Sequence, residues 1–271
     1  MKTKTILITG ATDGIGLATA KELAERGHRL IMHGRNMDKA EQAAGRIREA
    51  TGSEKVSACF ADLSSLDEVR KMSKELKDEY SELDVLINNA GVYKRKRELS
   101  EDGYELTFAV NHLAHFLLTA LLLDLVRTAD NGRIVTVASM AYASHIDFDD
   151  LQHEYHYDGY SAYSLSKLCN IMFSIELAER LRGTGVTSNS LHPGVISTKL
   201  LHAGFGGGGA PVSKGAETPV YLAVSDEVEN VTGKFFVNRS EQKPASVSYD
   251  RGARKKLWKL SGEMTGIDFP V

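Results

Sequence analysis

The 271-residue chain has only two cysteines, five prolines and one tryptophan. Cys59 and Cys169 stand far apart without a CxxC spacing, which excludes a disulfide framework and a thiolate zinc site and fits a reducing cytoplasmic setting. Charge of one sign is lacking too. Lys plus Arg number 33 against 36 Asp plus Glu, a formal net charge of -3, so no global attraction to nucleic acid or anionic lipid exists. The one basic cluster, RKKLWK at 254–259, reads as the solvated face of a helix. Long hydrophobic runs are missing as well. The apolar run after the two lysines of MKTKTILITG is too short for a signal sequence or a span, and FLLTALLLDLV at 116–126 is interrupted by Thr119 and Asp124. The latter is expected to be a buried helix, with no transmembrane segment anywhere.

What is present is alternation. Short β-rich runs at 5–9, 29–33, 55–60, 85–87, 133–138, 186–191 and 234–237 alternate with helical patterns at 14–26, 38–50, 65–79, 101–127, 161–182 and 214–224. That order predicts α/β architecture: a doubly wound parallel sheet of Rossmann type in a single domain. Ser65 and Glu68 have the spacing of a capping box. Residues 140–160, rich in His, Asp and Tyr, and the glycine-dense AGFGGGGAP at 203–211 read as loops that could border a pocket.

ITGATDGIG follows the first strand and opens a helix, placing Gly10, Gly14 and Gly16 in a TGxxxGxG spacing with Thr12 and Ile15 between them. Glycines let the backbone approach a diphosphate, and the helix N-terminus offers free amides and a positive dipole end. The stretch DGYSAYSLSKLCN holds Tyr160, Tyr163 and Lys167. Moving a phenol from pKa about 10 to about 7 takes about 4 kcal/mol. A lysine four residues on, about 6 Å along a helix, contributes roughly 3 kcal/mol at an effective dielectric of 20, and the more distant Tyr160 would gain about half that. Tyr163 is therefore the expected proton donor.

Together with NNAG at 88–91, YSLSK at 163–167 and HPGVIST at 192–198, the glycine motif makes the chain resemble the classical short-chain dehydrogenase/reductase family over nearly its whole length. VNHLAHF at 110–116, IDFDDLQ at 146–152 and ARKKLWKLSGEMTG near the carboxyl end resemble its retinol-dehydrogenase-like, WW-domain-oxidoreductase-like branch, and neither the amino-terminal anchor nor the extra domain of many members is expected. The 24 positions between Ser139 and Tyr163, more than in simpler members, match that branch. The resemblance implies that Tyr163 is the general acid/base and Lys167 also binds the nicotinamide ribose. It further implies that Ser139 bonds the substrate carbonyl and that Asn111 holds a relay water. Asn89, Ala90 and Gly91 of NNAG, with Pro193, Gly194, Ile196 and Thr198 of HPGVIST, would contact cofactor, while Asp62 and Leu63 would meet adenine. A helix-preceding cap is an alternative role for Asp62. His112 and His115 are expected to be buried and hydrogen-bonded, since no further ligand completes a metal site.

After the second strand, where NAD-preferring relatives carry an acid, Gly34 is followed by Arg35 and Asn36, which favours NADP over NAD, although Asp13 points the other way. Residues 1–138 then form the cofactor half and 139–271 the catalytic and substrate half. The expected partner is a small-molecule carbonyl or alcohol, bulky and largely apolar, enclosed by Leu200, Leu201 and Phe205 if 203–209 is a lid and not a mere flexible connection. Two alternatives are a nucleotide-sensing protein without turnover and a homo-oligomeric scaffold assembled through helices 101–127 and 161–182. The intact set Asn111, Ser139, Tyr163 and Lys167 argues for catalysis.

Overall fold

The computed structural model describes residues 2–271. Strands β1 (Thr5–Ile8), β2 (Arg29–Gly34), β3 (Val56–Phe60), β4 (Val85–Asn88), β5 (Arg133–Val137), β6 (Thr187–His192), β7 (Phe235–Val237) and β8 (Ser240–Gln242) form one sheet in the order β3-β2-β1-β4-β5-β6-β7-β8. Every pairing is parallel except the last. The central strands read as unbroken apolar runs because both faces are covered. Helices α1 (Gly14–Glu25), α2 (Met37–Thr51) and α8 (Val212–Val224) pack on one face around Ile6, Met32 and Val135. The other face carries α3 (Leu66–Glu79), α5 (Ala114–Arg127) and α6 (Gly159–Arg180) around Leu7, Leu86 and Ile134. The winding direction reverses between β1 and β4, so a crevice opens at the carboxyl ends there, where α/β ligands bind.

Several local expectations are corrected. The helix expected from residue 101 starts at α4 (Leu106–Phe108), where the Glu105 carboxylate accepts from the amides of Thr107 and Phe108 at 2.9 and 2.7 Å. It then runs through a π-helical turn, Ala109–Leu113, into α5. The continuous helix Leu106–Arg127 is long and apolar enough to cross a membrane by length and composition, contrary to expectation, yet 89% of its most apolar window is buried in the fold. The capping box at Ser65 does not form. Asp102 accepts the Leu66 amide at 2.9 Å, and Glu68 accepts from the Asp62 amide instead.

RKKLWK is not a solvated face. It lies in α9 (Arg251–Thr265), where Arg254, 4% exposed, donates to Glu176 at 3.2 Å and Glu179 at 2.9 Å. Leu257 is buried, and Trp258 packs against Phe116, Phe173 and Phe269 under the Arg180 guanidinium. Only Lys255, Lys256 and Lys259 of the cluster face outward. Residues Ala162 to Ala178 of α6 are all buried. Leu151, Phe148 and Ile146 of the long 140–158 segment cover it together with α9.

Candidate active site

A cavity of about 870 Å³ occupies the crevice, lined by the glycine loop, the ends of β4 to β6 and the chain after β6. Backbone geometry explains the glycines. Gly10 has φ +64°, and a Cβ there would lie 2.9 Å from Ala90 Cα; a Cβ at Gly16 would lie 2.3 Å from the Gly10 carbonyl. The loop is held from below. Asn89 Nδ2 donates to Thr9 O at 2.7 Å, and the Gly10 amide donates to His33 Nδ1 at 3.1 Å. Asp13 caps α1 through the Gly14 amide, leaving first-turn amides beside Ile15 and Gly16, which line the cavity with Thr12.

At the other end, Ser139, Tyr163 and Lys167 converge. Ser139 leaves the carboxyl end of β5, and Tyr163 and Lys167 share one face of α6. Lys167 Nζ lies 5.5 Å from the Tyr163 ring centre and donates to Val137 O at 3.1 Å. Tyr163 is only 6% exposed whereas Tyr160 is 50% exposed, so burial separates the two tyrosines as the spacing did. The expected acidification of the phenol is not present in the chain alone. Burial pushes the Tyr163 pKa up to about 12, although its hydrogen bond with Ser139 pulls the other way. Burial likewise brings Lys167 down to about 8. Desolvation is the dominant cause for both groups.

Asn111 lies in the helix that follows NNAG. It sits in the π-helical turn outside the cavity wall, with Oδ1 accepting from the Val92 amide at 2.8 Å and Nδ2 donating to Val92 O at 3.1 Å and Ser166 Oγ at 3.0 Å. Its side chain positions the segment after Gly91. Asn36 is reassigned, since it caps α2 by accepting from the Lys39 amide at 3.0 Å and does not line the cavity. Arg35 does line it, exposed and without an ion-pair partner among the described residues. Asp62 and Leu63 are both in the wall, and Asp62 Oδ1 accepts from the Ser64 amide and hydroxyl, so the local turn role and a cavity position coexist. Asn89, Ala90, Gly91, Pro193, Gly194, Ile196 and Thr198 all line the cavity.

His33, Thr9 and the Val137 carbonyl escaped the sequence reading because no spacing marks them. Burial brings His33 down to about 4, so it is neutral, and because Nδ1 accepts from Gly10 its Nε2–H donates to Ala61 O at 3.0 Å. Thr9 Oγ1 accepts from the amides of Asn89 and Ala90 at 2.8 and 2.9 Å. His112 and His115 are buried and bonded as expected, to Ser261 Oγ at 2.8 Å and Thr9 Oγ1 at 2.9 Å.

These features suit a nicotinamide dinucleotide. Gly91 brings the NNAG backbone beside Lys167, since a Cβ there would stand 3.5 Å from Lys167 Nζ, and both residues line the cavity. The α1 amides offer a diphosphate seat, and Arg35 an anion seat at the far end.

The fold and this wall define a short-chain dehydrogenase, and the profile of the short chain dehydrogenase family matches residues 4–205. Human retinol dehydrogenase 13 is 41% identical over 284 residues, covering 98% of this chain and 86% of that protein. The chain belongs to the short-chain dehydrogenase/reductase family and, within it, to the retinol-dehydrogenase-like branch. Among solved structures, an uncharacterised protein from Mycobacterium paratuberculosis aligns with TM-score 0.83 at 34% identity, covering 99% of this chain and 95% of that one. A short chain dehydrogenase from Escherichia coli complexed with NADPH aligns with TM-score 0.74 at 25% identity, covering 89% and 98%.

Proposed function

We propose that the protein transfers hydride between NADP(H) and the carbonyl or alcohol carbon of an apolar small molecule, with Tyr163 as general acid/base. The observation that carries this reading is the convergence of Ser139, Tyr163 and Lys167 at one end of a cavity whose other end is the glycine loop. When bound, the cofactor supplies or accepts the hydride and, in its oxidised form, brings positive charge toward the phenol. Ser139 Oγ accepts from the Ala141 amide at 3.0 Å, which leaves its hydroxyl hydrogen for the Tyr163 phenol or, once substrate is bound, for a substrate oxygen. A Tyr163 pKa near 12 keeps the phenol protonated at neutral pH, ready to deliver its proton to the developing alkoxide. Lys167, near 8, remains largely an ammonium at pH 7 and stabilises the phenolate left behind.

Arg35 supports NADP over NAD through its planar guanidinium, which matches a phosphate. Asp13 opposes it less than its charge suggests, because Lys199 forms an ion pair with it and holds its carboxyl below the usual range. Leu200, Leu201 and Phe205 of α7 (Lys199–Phe205) give the cavity an apolar wall beside Val195 and Met140. The name of the related retinol dehydrogenase, an enzyme for an apolar alcohol, supports the same substrate class. Only residues 203–205 of the glycine-dense stretch are helical. Gly206 to Gly209 follow with φ of 82°, 105°, 86° and 98°, a backbone only glycine adopts freely, as a hinge for α7 requires. The test is NADPH and NADH titration followed by turnover of retinoid, steroid, aliphatic and aromatic carbonyls. NADPH-dependent reduction of an apolar carbonyl is expected; tight binding with no turnover across the panel would favour the nucleotide-sensing alternative.

A further inference from the structure

Helix α7 walls the cavity, yet none of its seven residues is buried. A segment with so few buried contacts opens readily, so whatever holds it decides where the wall stands. Beside the Tyr160 ring, whose centre lies 5.9 Å from that of Phe205, three contacts hold its carboxyl half. Arg95 Nε donates to the Ala203 carbonyl at 2.9 Å. Phe205 meets Tyr163 edge-on at 5.8 Å between ring centres. The third is Tyr93, two residues beyond the NNAG motif, whose ring centre lies 5.6 Å from Phe205 and 5.7 Å from Tyr163.

Tyr93 is seated on missing side chains. A Cβ at Gly204 would stand 2.7 Å from its ring, and a Cβ at Gly159 would stand 3.2 Å from its hydroxyl oxygen. The ring therefore rests against the bare backbone of α7 on one side and the start of α6 on the other. It is not itself part of the cavity wall, which Phe205 and Tyr163 form in front of it. Gly204 is half-buried inside a helix, where glycine is disfavoured by roughly 1 kcal/mol relative to alanine. Close approach of Tyr93 accounts for it.

We infer that Tyr93 is a positioning residue that sets substrate size: its ring, packed on Gly204, braces Phe205 against the Tyr163 ring and so fixes the apolar wall beside the reacting centre. The size effect rests on the hydride-transfer reading above; the bracing of α7 does not. The hydroxyl makes no hydrogen bond among the described residues, so the role belongs to the ring. Phenylalanine should preserve it and alanine should not.

Hydrogen exchange on the cofactor-free protein tests the bracing. Tyr93→Ala should speed exchange of the amides at 199–209 by about tenfold or more while the strands keep their protection, and Tyr93→Phe should match wild type. Gly204→Ala, which pushes on the same contact from the other side, should behave like Tyr93→Ala. With NADPH saturating, 1-naphthaldehyde and propanal then serve as large and small probes. In Tyr93→Ala the ratio of their KM values should change by about fivefold or more with kcat nearly unmoved, a split that general loss of fold would not produce. Unchanged exchange at 199–209 in Tyr93→Ala, or equal loosening by phenylalanine, overturns the bracing; an unchanged KM ratio overturns the size effect. If wild type reduces neither aldehyde while exchange responds as stated, the bracing stands and the hydride-transfer reading is what fails.

Discussion

Replacing Lys167 with methionine should make the protein more stable and inactive at once. The lysine is 3% exposed and its pKa falls from 10.5 to about 8 because burial disfavours the ammonium. At 1.36 kcal/mol for each pKa step, holding the charged form in the fold costs about 3 kcal/mol relative to the unfolded chain. The sign follows from the lowered pKa of a base. The penalty is complete below pH 8, where both states carry the proton, shrinks as the folded state releases it, and is gone above 10.5. Methionine has a similar shape and no charge, but Val137 O loses its 3.1 Å donor, a loss of about 1 kcal/mol. The net gain for Lys167→Met at pH 7 is about 2 kcal/mol, a rise in Tm of roughly 5 °C for a chain of this size. Urea unfolding at pH 7 and at pH 10 measures it, and the gain should shrink sharply at the higher pH. A variant less stable than wild type at pH 7, or a gain that ignores pH, refutes burial of a charged lysine as the cause.

Arg35→Leu should weaken NADPH binding by about tenfold or more, at least ~1.4 kcal/mol, and leave NADH binding nearly unchanged; equal loss for both in titrations at fixed ionic strength contradicts a phosphate-binding Arg35. An aspartate at Gly34 is a poor companion substitution, because a Cβ there would stand 2.6 Å from Thr12 Cγ2. Arg254→Leu should cost about 3 kcal/mol by leaving Glu176 buried with Arg180 as its only cation, read as a lower urea midpoint with activity per folded molecule retained. Carbonyl reduction should decline as pH rises through about 8, where Lys167 loses its proton, and a rate flat from pH 7 to 9 would contradict its role as an ammonium.

The strands were legible because runs such as ILI at 6–8 and VLI at 85–87 are buried on both faces, and a parallel sheet leaves that pattern unmixed. Tyr163 and Lys167 were legible because i and i+4 share a helix face, a property of the helix alone. What escaped depends on contacts between distant segments. The burial of α9 rests on Arg254 finding Glu176, 78 residues away, and nothing in RKKLWK announces that partner. Ser65 and Glu68 have the capping spacing, but the Glu68 carboxylate takes the Asp62 amide and Asp102, 36 residues on from Leu66, caps the helix at the Leu66 amide. The side chain of Asn36 could have faced cofactor on sequence grounds, yet a local backbone amide claims it. The attraction of Lys167 for a phenolate is legible in the spacing, but the desolvation of Tyr163 in a nearly sealed α6, the largest influence on its pKa, is not.

The central claim is that Tyr163 supplies the proton for hydride transfer from NADP(H). It is tested most directly with NADPH carrying deuterium at the transferable position and the best carbonyl from the panel, with the product read by mass spectrometry for wild type and Tyr163→Phe at matched cofactor occupancy. The account predicts one deuterium on the carbinol carbon with wild type, and cofactor binding without labelled alcohol for Tyr163→Phe. Labelled alcohol formed by Tyr163→Phe within about tenfold of the wild-type rate, a barrier change of only ~1.4 kcal/mol, would contradict it.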